Sequence, residues 1–561
     1  MLPRPALLLL CCTSLSASFA SEPTGPLTGL EYRLIGPSVG GRITQVSGVI
    51  GDPMTWYLGA AQGGVWKSDD GGHQWRPVFD QMPSNSVGSL AVADTDANVI
   101  YVGGGEGNIR GNVQPGAGLF VSTDAGKTWQ HTLKLRVAVG DIEVDPQVAE
   151  TAFAAVLGNP FKRNPERGVY RTTDAGQTWQ QVLKVDADTG ASDVAIDAHN
   201  PRIVWAGTWQ ARRTPWGLTS GGPGSGLWRS ADGGSNWTRL AAGEHGLPKG
   251  EWGKVGVAVS PASGERIYAL IEAEDGGLYR SDDGGESFEK INGHAILRQR
   301  AWYYTTIVPD PVDVDRVWFP QVGMLYSADG GKTLQQIEGF AHGDHHDLWI
   351  DSNDPQRLIA GNDGGVDLSF DGGSTWHAPN LPLGQFYNID VDQRRPYHVG
   401  GTLQDQGTVS GPVISLRNDG SELAEWIYAG GGEVGDFRYD LAQPGTIYAG
   451  EYGGYLSRYV EGSGQYRMIS PVPANPSGVQ PHTMRERFQW NAPLELSPHD
   501  PATLYFGANV LFRSRDRGEN WEVISPDLSR NDKSKQQWSG GPITGDNTGV
   551  EIYGTIVSID E

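Results

Sequence analysis

The sequence has 561 residues, with 43 lysines and arginines against 66 aspartates and glutamates, and a formal charge of −23. So acidic a chain argues against a nucleic-acid binder, which needs a basic face to neutralise phosphate, and against docking on an anionic membrane surface. Glycine accounts for 79 residues and tryptophan for 19; glycine is at about twice its usual share of about 7%, which points to tight turns joining short strands and all but excludes a helix bundle.

Residues 1–20 read as a secretory signal: Arg4 supplies the positive start, an apolar run includes Leu7 to Cys12, and Ser18-Phe19-Ala20 is a small-x-small cleavage site. The apolar run is too short to span a bilayer. The only cysteines, Cys11 and Cys12, fall inside it. The expectation is an exported protein, periplasmic or secreted after cleavage near Ala20, without disulfides and without membrane insertion.

One octapeptide recurs along the rest of the chain: Ser or Thr, any residue, Asp, any, Gly, any, polar, aromatic. Its clean copies are Ser122 to Trp129 and Thr172 to Trp179; others centre on Asp70, Asp232 and Asp371, and weaker ones on Asp283, Asp329 and Asp516. Successive aspartates are 42–58 residues apart until Asp371, after which a gap of 145 leaves room for two degenerate copies. Around the copies, alternating strands end in proline turns (139–146, 194–201, 348–355, 494–501), and short β-branched and aromatic strands follow, such as Ile203-Val204-Trp205. Each unit therefore reads as four short strands in 40–50 residues, the spacing of a β-propeller blade. Ten units start near Gln45, Gly88, Val139, Ala191, Lys254, Tyr304, Asp347, Phe386, Val434 and Asn491, and Tyr553 to Asp560 reads as the first strand of an eleventh. Since propellers usually have four to eight blades, the expected division is a first propeller of seven blades at 21–380 and an incomplete second one at 381–561. A single ten-bladed ring is the alternative.

The octapeptide resembles the Asp-box, or bacterial neuraminidase repeat, and residues 31–561 are similar to Asp-box propellers of the sortilin type and to two-propeller xyloglucanases. The stretches His342 to Asp351, Gly361-Asn362-Asp363-Gly364-Gly365, Gly384-Gln385-Phe386-Tyr387 and Gly401 to Gly407 resemble bacterial sortilin-N-terminal-like proteins, often labelled glycosyl hydrolases. The resemblance implies a fold more than an activity. Xyloglucanases place a catalytic Asp in a Thr-Asp-x-Gly-Gly turn of the first blade; here the positions are Ala60-Ala61-Gln62-Gly63-Gly64, so that carboxylate is absent. Eight aspartates could form a cation or catalytic array, but repetition in nearly every unit favours an architectural role for Asp70, Asp124, Asp174, Asp232, Asp283, Asp329, Asp371 and Asp516.

Chemistry is then expected on the opposite face, where loops vary in length. Three long loops, 104–118, 158–167 and 208–226, carry Arg110, Phe161, Arg163, Arg212, Arg213 and Trp216 and should form a raised lip. Arg298, Arg300, Trp302, Tyr303 and Tyr304 join arginine to aromatics, which suits a carboxylate, a peptide terminus or a sugar face. In His342-Gly343-Asp344-His345-His346-Asp347, extended backbone would point His342, Asp344 and His346 one way and His345 and Asp347 the other; a hydrogen-bonded brace is preferred over a metal site, and no metal or cofactor is assigned. Asp363, Asp405, Glu433 and Glu451 are further acids near strand ends, any two of which could do acid–base work. The favoured reading is a binding scaffold for a peptide, protein or glycan. The alternatives are a glycoside hydrolase with a non-standard acid pair, and an assembly factor for an envelope complex.

Overall fold

The computed structural model describes residues 33–415, 425–472, 475–546 and 548–561; the signal segment with both cysteines lies outside them. Residues 36–561 form one unit, built from ten antiparallel sheets in chain order: 43–77, 87–133, 138–183, 189–240, 252–292, 308–337, 345–369, 386–428, 437–468 and 494–523. Most have four strands, each hydrogen-bonded to the next in sequence. The fourth sheet gains a fifth strand, Gly217–Ser220, which pairs with the long strand Val204–Thr214. The seventh has three, with a single bridge between Leu368 and His377 where a fourth would lie. The fold is an all-β propeller, and the gap in the octapeptide series holds the eighth and ninth sheets.

Two devices fasten sheet to sheet. One is the octapeptide turn. In all eight copies the Ser or Thr hydroxyl donates to the Asp Oδ1 two residues on, at 2.7–2.9 Å. The same Oδ1 accepts the backbone N–H four residues beyond the Asp, at 2.8–2.9 Å. The hydroxyl in turn accepts the glycine N–H, as at Gly126 (2.8 Å). The turn thus closes on itself, and hydrogen bonds from Asn236 and Ser287 hold Asp232 and Asp283 down to about 2. In three copies the aromatic residue reaches back to the preceding repeat: Trp129 Nε1 donates to Val78 O (2.7 Å), Trp179 Nε1 to Thr132 Oγ1 (3.1 Å) and Trp521 Nε1 to Ile469 O (2.7 Å); Trp75 and Trp237 instead donate to Gly72 O and Gly234 O of their own turns (3.0 Å each).

The second device was not legible in the repeat. An aspartate on the innermost strand accepts a backbone N–H from the innermost strand of the next sheet: Asp141 from Val194 (3.2 Å), Asp193 from Val257 (2.9 Å), Asp390 from Tyr439 (2.9 Å) and Asp436 from Leu494 (3.1 Å). Asp347 does the same to Val46 (3.0 Å), which joins the seventh sheet to the first. Arg357 reinforces that junction; it is buried, donates to Val49 O (2.8 Å) and Thr55 O (3.0 Å), pairs with Asp351 (2.9 Å) and lies 3.8 Å over the Trp56 ring. Glycines on the second strands let the sheets approach. A Cβ on Gly59 would sit 2.5 Å from Val87 Cγ1, and one on Gly103 2.5 Å from the Val139 Cβ.

Residues of all seven first sheets line one axial cavity of about 410 Å³. Its wall carries Asp94, Asp141, Glu143, Asp193 and Asp347 with Lys254. Burial pushes Asp141 and Asp347 up to about 6.

The terminal stretch corrects one expectation. Residues 553–560 form no ladder, although Ile556 N–H donates to Ala508 O (2.7 Å) and Ile556 packs on Gly507 as Val87 packs on Gly59. The segment occupies the place of a further first strand, but the described residues supply no second strand to pair with it.

Candidate functional site

Above the axial cavity, on the face away from the octapeptide turns, lies a cleft of about 420 Å³. It is lined by loops of the first seven sheets other than the third, by loops of the eighth to tenth sheets, and by Asp546, Thr548, Val550 and Glu551. Of the expected binding residues, Arg300, Trp302, Tyr303, Asp344, Asp363, Asp405 and Glu433 line it.

Arg42 is the hub. It is 7% exposed; its Nη2 lies 2.8 Å from Asp363 Oδ2 and 2.7 Å from Asp405 Oδ2, and its Nη1 donates to the Tyr303 hydroxyl. Burial pushes Asp363 up, Arg42 pulls it back, and Asp405 adds to the push. Asp405 itself is held at about 2: burial opposes its ionisation, but Arg42 and a hydrogen bond from Glu433 outweigh it. Glu433 is the converse, raised to about 9 by burial and by the hydrogen bond to Asp405. Its Oε2 also accepts the Asp405 N–H at 3.3 Å. One proton is thus shared by two carboxyls, with the arginine choosing which keeps the charge. A second such set lies on residues 539–546 and 548–553, a strap that runs back to the fourth sheet: Arg213 donates to Glu551, Glu551 hydrogen-bonds Asp546, and Thr548 holds Asp546 by its N–H (3.0 Å) and hydroxyl (2.7 Å). Burial raises Glu551 to about 8, while Asp546 is lowered.

The remaining lining is aromatic and amide-rich. Tyr452 and Trp490 stack with centroids 5.3 Å apart. Asn112 Nδ2 donates to the Tyr387 hydroxyl (3.1 Å), which donates to Gln404 Oε1 (2.5 Å). Arg110 is tied to Glu106 (2.7 Å) and Gln404 (2.8 Å). Arg300 reaches Asp344 Oδ1 (3.1 Å), which also accepts the Tyr304 hydroxyl (2.6 Å), and lies 5.2 Å over the Tyr303 ring.

The other four expected residues lie off the cleft. Arg298, which follows a short 3₁₀ turn at residues 295–297, donates to Ala273 O (3.1 Å) away from it, while the N–H groups of Tyr303 and Tyr304 both bond Arg300 O. His342 is held by its own loop and Asp405 O (3.0 Å). His345 is buried against Phe340, and burial lowers it to about 3. His346 accepts from Asn108 Nδ2 at Nδ1 (2.9 Å), so its Nε2–H donates to Asp363 (2.6 Å). It lines the axial cavity, and so braces the partition between cavity and cleft. Strict alternation fails here because Asp344 has φ +55° and the strand begins only at His345.

Of the expected lip residues, Arg110 and Arg213 line the cleft and the other four do not. Arg163 and Arg212 converge on Asp188 (3.0 and 2.6 Å) while Phe161 stays exposed. Arg213 and Trp216 hold the strap, through Glu551 and an edge contact with Tyr553 (5.7 Å). The strap also bonds the edge of the fifth strand, Ser220 N–H to Gly540 O (3.0 Å) and Gly540 N–H to Leu218 O (2.9 Å). Arg42, Gln404, Tyr452, Trp490, Asp546 and Glu551 were not singled out in the sequence; only Glu451, next to Tyr452, gave a signal.

The BNR/Asp-box repeat profile matches residues 120–131, the turn of Asp124 and Trp129. Comparison with curated proteins gives no match. Among solved structures, the chain is similar to the GH74 xyloglucanase of Xanthomonas campestris, at 15% identity over 92% of this chain and 98% of that one, with a TM-score of 0.35. It is also similar to YCF48 bound to D1 peptide, at 17% identity over 61% and 98%, TM-score 0.41. A third is PorZ, a surface component of the type-IX secretion system of Porphyromonas gingivalis, at 13% identity over 87% and 59%, TM-score 0.47. Identities this low carry no activity across. Among the described residues, no helix is long and apolar enough to cross a membrane. The architecture is that of an all-β propeller whose sheets turn on Asp-boxes.

Proposed function

We propose that the chain is an exported binding protein, periplasmic or secreted after removal of residues 1–20, whose cleft takes an extended peptide or glycan segment. In this reading residues 21–380 are a seven-bladed propeller and 381–561 the blades of a second, and the ligand lies between them. The observation that carries the reading is the lining. The stacked Tyr452 and Trp490 offer a platform, and the amide side chains of Asn112, Gln404, Gln489 and Asn491 line the cleft beside it. The test is a peptide and glycan array probed with the full chain and with Trp490→Ala. Hits lost in the variant support the reading; hits that persist unchanged refute it.

A hydrolytic reading is favoured by one observation, an ionised Asp405 beside a protonated Glu433. Its difficulty is distance. Glycosidase carboxyls stand about 5–9.5 Å apart, whereas these two are hydrogen-bonded to each other. Product analysis on any glycan hit separates the readings: released reducing sugar that disappears in Glu433→Gln would establish hydrolysis.

A further inference from the structure

The polar groups of the cleft divide into those committed within the fold and those left over, and the leftover ones are mostly donors. Gln404 is 8% exposed, and its Oε1 accepts from Arg110 Nη1 (2.8 Å), the Tyr387 hydroxyl (2.5 Å) and Asn112 Nδ2 (3.3 Å). Three donors on one oxygen fix the amide orientation, so Nε2 is the atom left over, without a partner among the described residues. Trp302 is 4% exposed, and its indole N–H is likewise unpartnered. Unlike the enclosed Nε of Arg42, both nitrogens keep an open side, and the cleft is where these two buried residues open. Gln489 Oε1 accepts the Asn491 N–H and Asn491 Oδ1 the Gly435 N–H (3.1 Å), which leaves Gln489 Nε2 and Asn491 Nδ2 free on either side of Trp490 in the chain. Arg213 and Arg300 each bond a carboxylate through one terminal nitrogen and keep the other, Nη1 and Nη2. Against these six donors the described residues set two uncommitted acceptors, Asn112 Oδ1 and Asp344 Oδ2, with the hydroxyls of Tyr452 and Ser477 able to serve either way.

A ligand that covers these N–H groups must bring acceptor oxygens, because a donor shut away from water without a partner is costly. It must also bring few N–H or O–H groups of its own, since little is left to accept them. Charge narrows the choice further. The lining holds six carboxyls, Asp344, Asp363, Asp405, Glu433, Asp546 and Glu551, against the four arginines Arg42, Arg110, Arg213 and Arg300, so there is no surplus of positive charge for a carboxylate or phosphate. A sugar hydroxyl carries a donor with every acceptor oxygen, and an ordinary peptide bond carries one N–H for each carbonyl. Proline keeps the carbonyl and lacks the N–H. A proline-rich segment is moreover preformed as a polyproline II helix, about 3.1 Å per residue with no internal hydrogen bonds, so its carbonyls are all available. Its rings pack on aromatic faces, which the stacked Tyr452 and Trp490 supply at the same wall as Gln489 and Asn491.

We propose that the cleft recognises a proline-rich peptide segment in the polyproline II conformation, whose carbonyl oxygens accept from the free side-chain N–H groups of Gln404, Trp302, Gln489 and Asn491 while its pyrrolidine rings lie against Tyr452 and Trp490. This rests on the reading of the cleft as a binding site. Selectivity follows from the imbalance of donors and acceptors: a chain that adds N–H or O–H groups gains no partners for them and gives up water to enter. The recognition is of main chain and ring, so it is independent of charge on the ligand.

The experiment is isothermal titration of the full chain with hexaproline, with hexaalanine, hexaglutamate and cellohexaose as comparisons. The expected result is binding of hexaproline at least tenfold tighter than any of the other three. Gln489→Glu and Asn491→Asp keep the oxygen that accepts the backbone N–H and turn the free donor into an acceptor, so each should weaken hexaproline about tenfold. Trp302→Phe removes the indole N–H and keeps an aromatic ring; it should weaken hexaproline about fivefold, the net worth of one hydrogen bond. The ranking of the four probes on the unaltered chain tests the proposal even if a variant fails to fold. Equal or tighter binding of hexaalanine, hexaglutamate or cellohexaose overturns it, as does hexaproline binding that is unchanged in both Gln489→Glu and Asn491→Asp. If none of the four binds while array hits depend on Trp490, the proposal fails and the binding cleft stands; if no array hit depends on Trp490 either, both fail.

Discussion

Replacing Arg42 by Met should be the most damaging single change in the cleft, and its cost should depend on pH in a defined direction. The methionine keeps much of the buried stem but removes the guanidinium that stands 2.8 Å from Asp363 and 2.7 Å from Asp405. Those carboxyls have side chains only 4% and 15% exposed, so water replaces little of what is lost. Breaking a buried ion pair from one side costs about 3–5 kcal/mol. The sign with pH follows from Asp405, whose folded value of about 2 lies below the ordinary 3.8. A depressed carboxyl contributes stability that is present above its unfolded value and lost as pH falls through the folded one. The Arg42→Met penalty should therefore be full above about pH 5 and shrink between about pH 4 and pH 2. Urea unfolding followed by tryptophan fluorescence at pH 7 and pH 3 measures it. Adding Asp363→Asn and Asp405→Asn to Arg42→Met should recover most of the loss, because no buried charge is then left without a partner. A loss under about 1 kcal/mol at pH 7, or one that does not change between pH 7 and pH 3, would refute the reasoning.

Asp347→Asn should stabilise the protein above pH 6: the carboxyl is raised to about 6, so its ionisation costs stability as pH rises from about 4 to 6, whereas an amide oxygen still accepts from Val46 N–H. Two units correspond to at most about 3 kcal/mol; thermal unfolding at pH 5 and pH 8 reads the difference. Ser122→Ala should destabilise more than Asp124→Ala, because the buried hydroxyl accepts from the buried Gly126 N–H, at about 1–3 kcal/mol for the orphaned group; urea midpoints of the two variants rank them. Gly59→Val should lower expression or the unfolding midpoint sharply, since even a Cβ there comes within 2.5 Å of Val87.

The architecture was written locally, and that is why it could be read. The octapeptide carries its hydrogen bonds within five residues, so Ser122, Asp124 and Trp129 announce the turn without knowledge of the rest of the chain. The eighth and ninth sheets lack it, and only weaker marks place them: unit starts near Phe386 and Val434 and the β-branched and aromatic run Ile447-Tyr448-Ala449-Gly450. The cleft was half legible for the same reason. Arg300, Trp302, Tyr303 and Asp344 lie on neighbouring loops, but Arg42 meets Asp405 across 363 positions and Arg213 meets Glu551 across 338. No spacing rule links such residues; ring closure and the returning strap bring them together. Arg298 and Arg300, only two residues apart, diverge: Arg298 donates to Ala273 O, while Arg300 reaches Asp344 and its carbonyl takes the N–H groups of Tyr303 and Tyr304, a difference with no local mark. The aspartates Asp141, Asp193, Asp347, Asp390 and Asp436 were in plain sight as alternating strand residues, yet their acceptor role depends on the following sheet and so has no local mark.

The central claim is a division of labour: Asp-box turns fasten the sheets on one face, and recognition occurs in the cleft on the other. Hydrogen–deuterium exchange with and without a saturating array hit tests it most directly. The account predicts slowed exchange at 404–407, 432–435, 489–491 and 548–551, with the turns around Asp124, Asp174 and Asp371 unchanged. Protection confined to those turns, with none around Asp405 and Glu433, would contradict it.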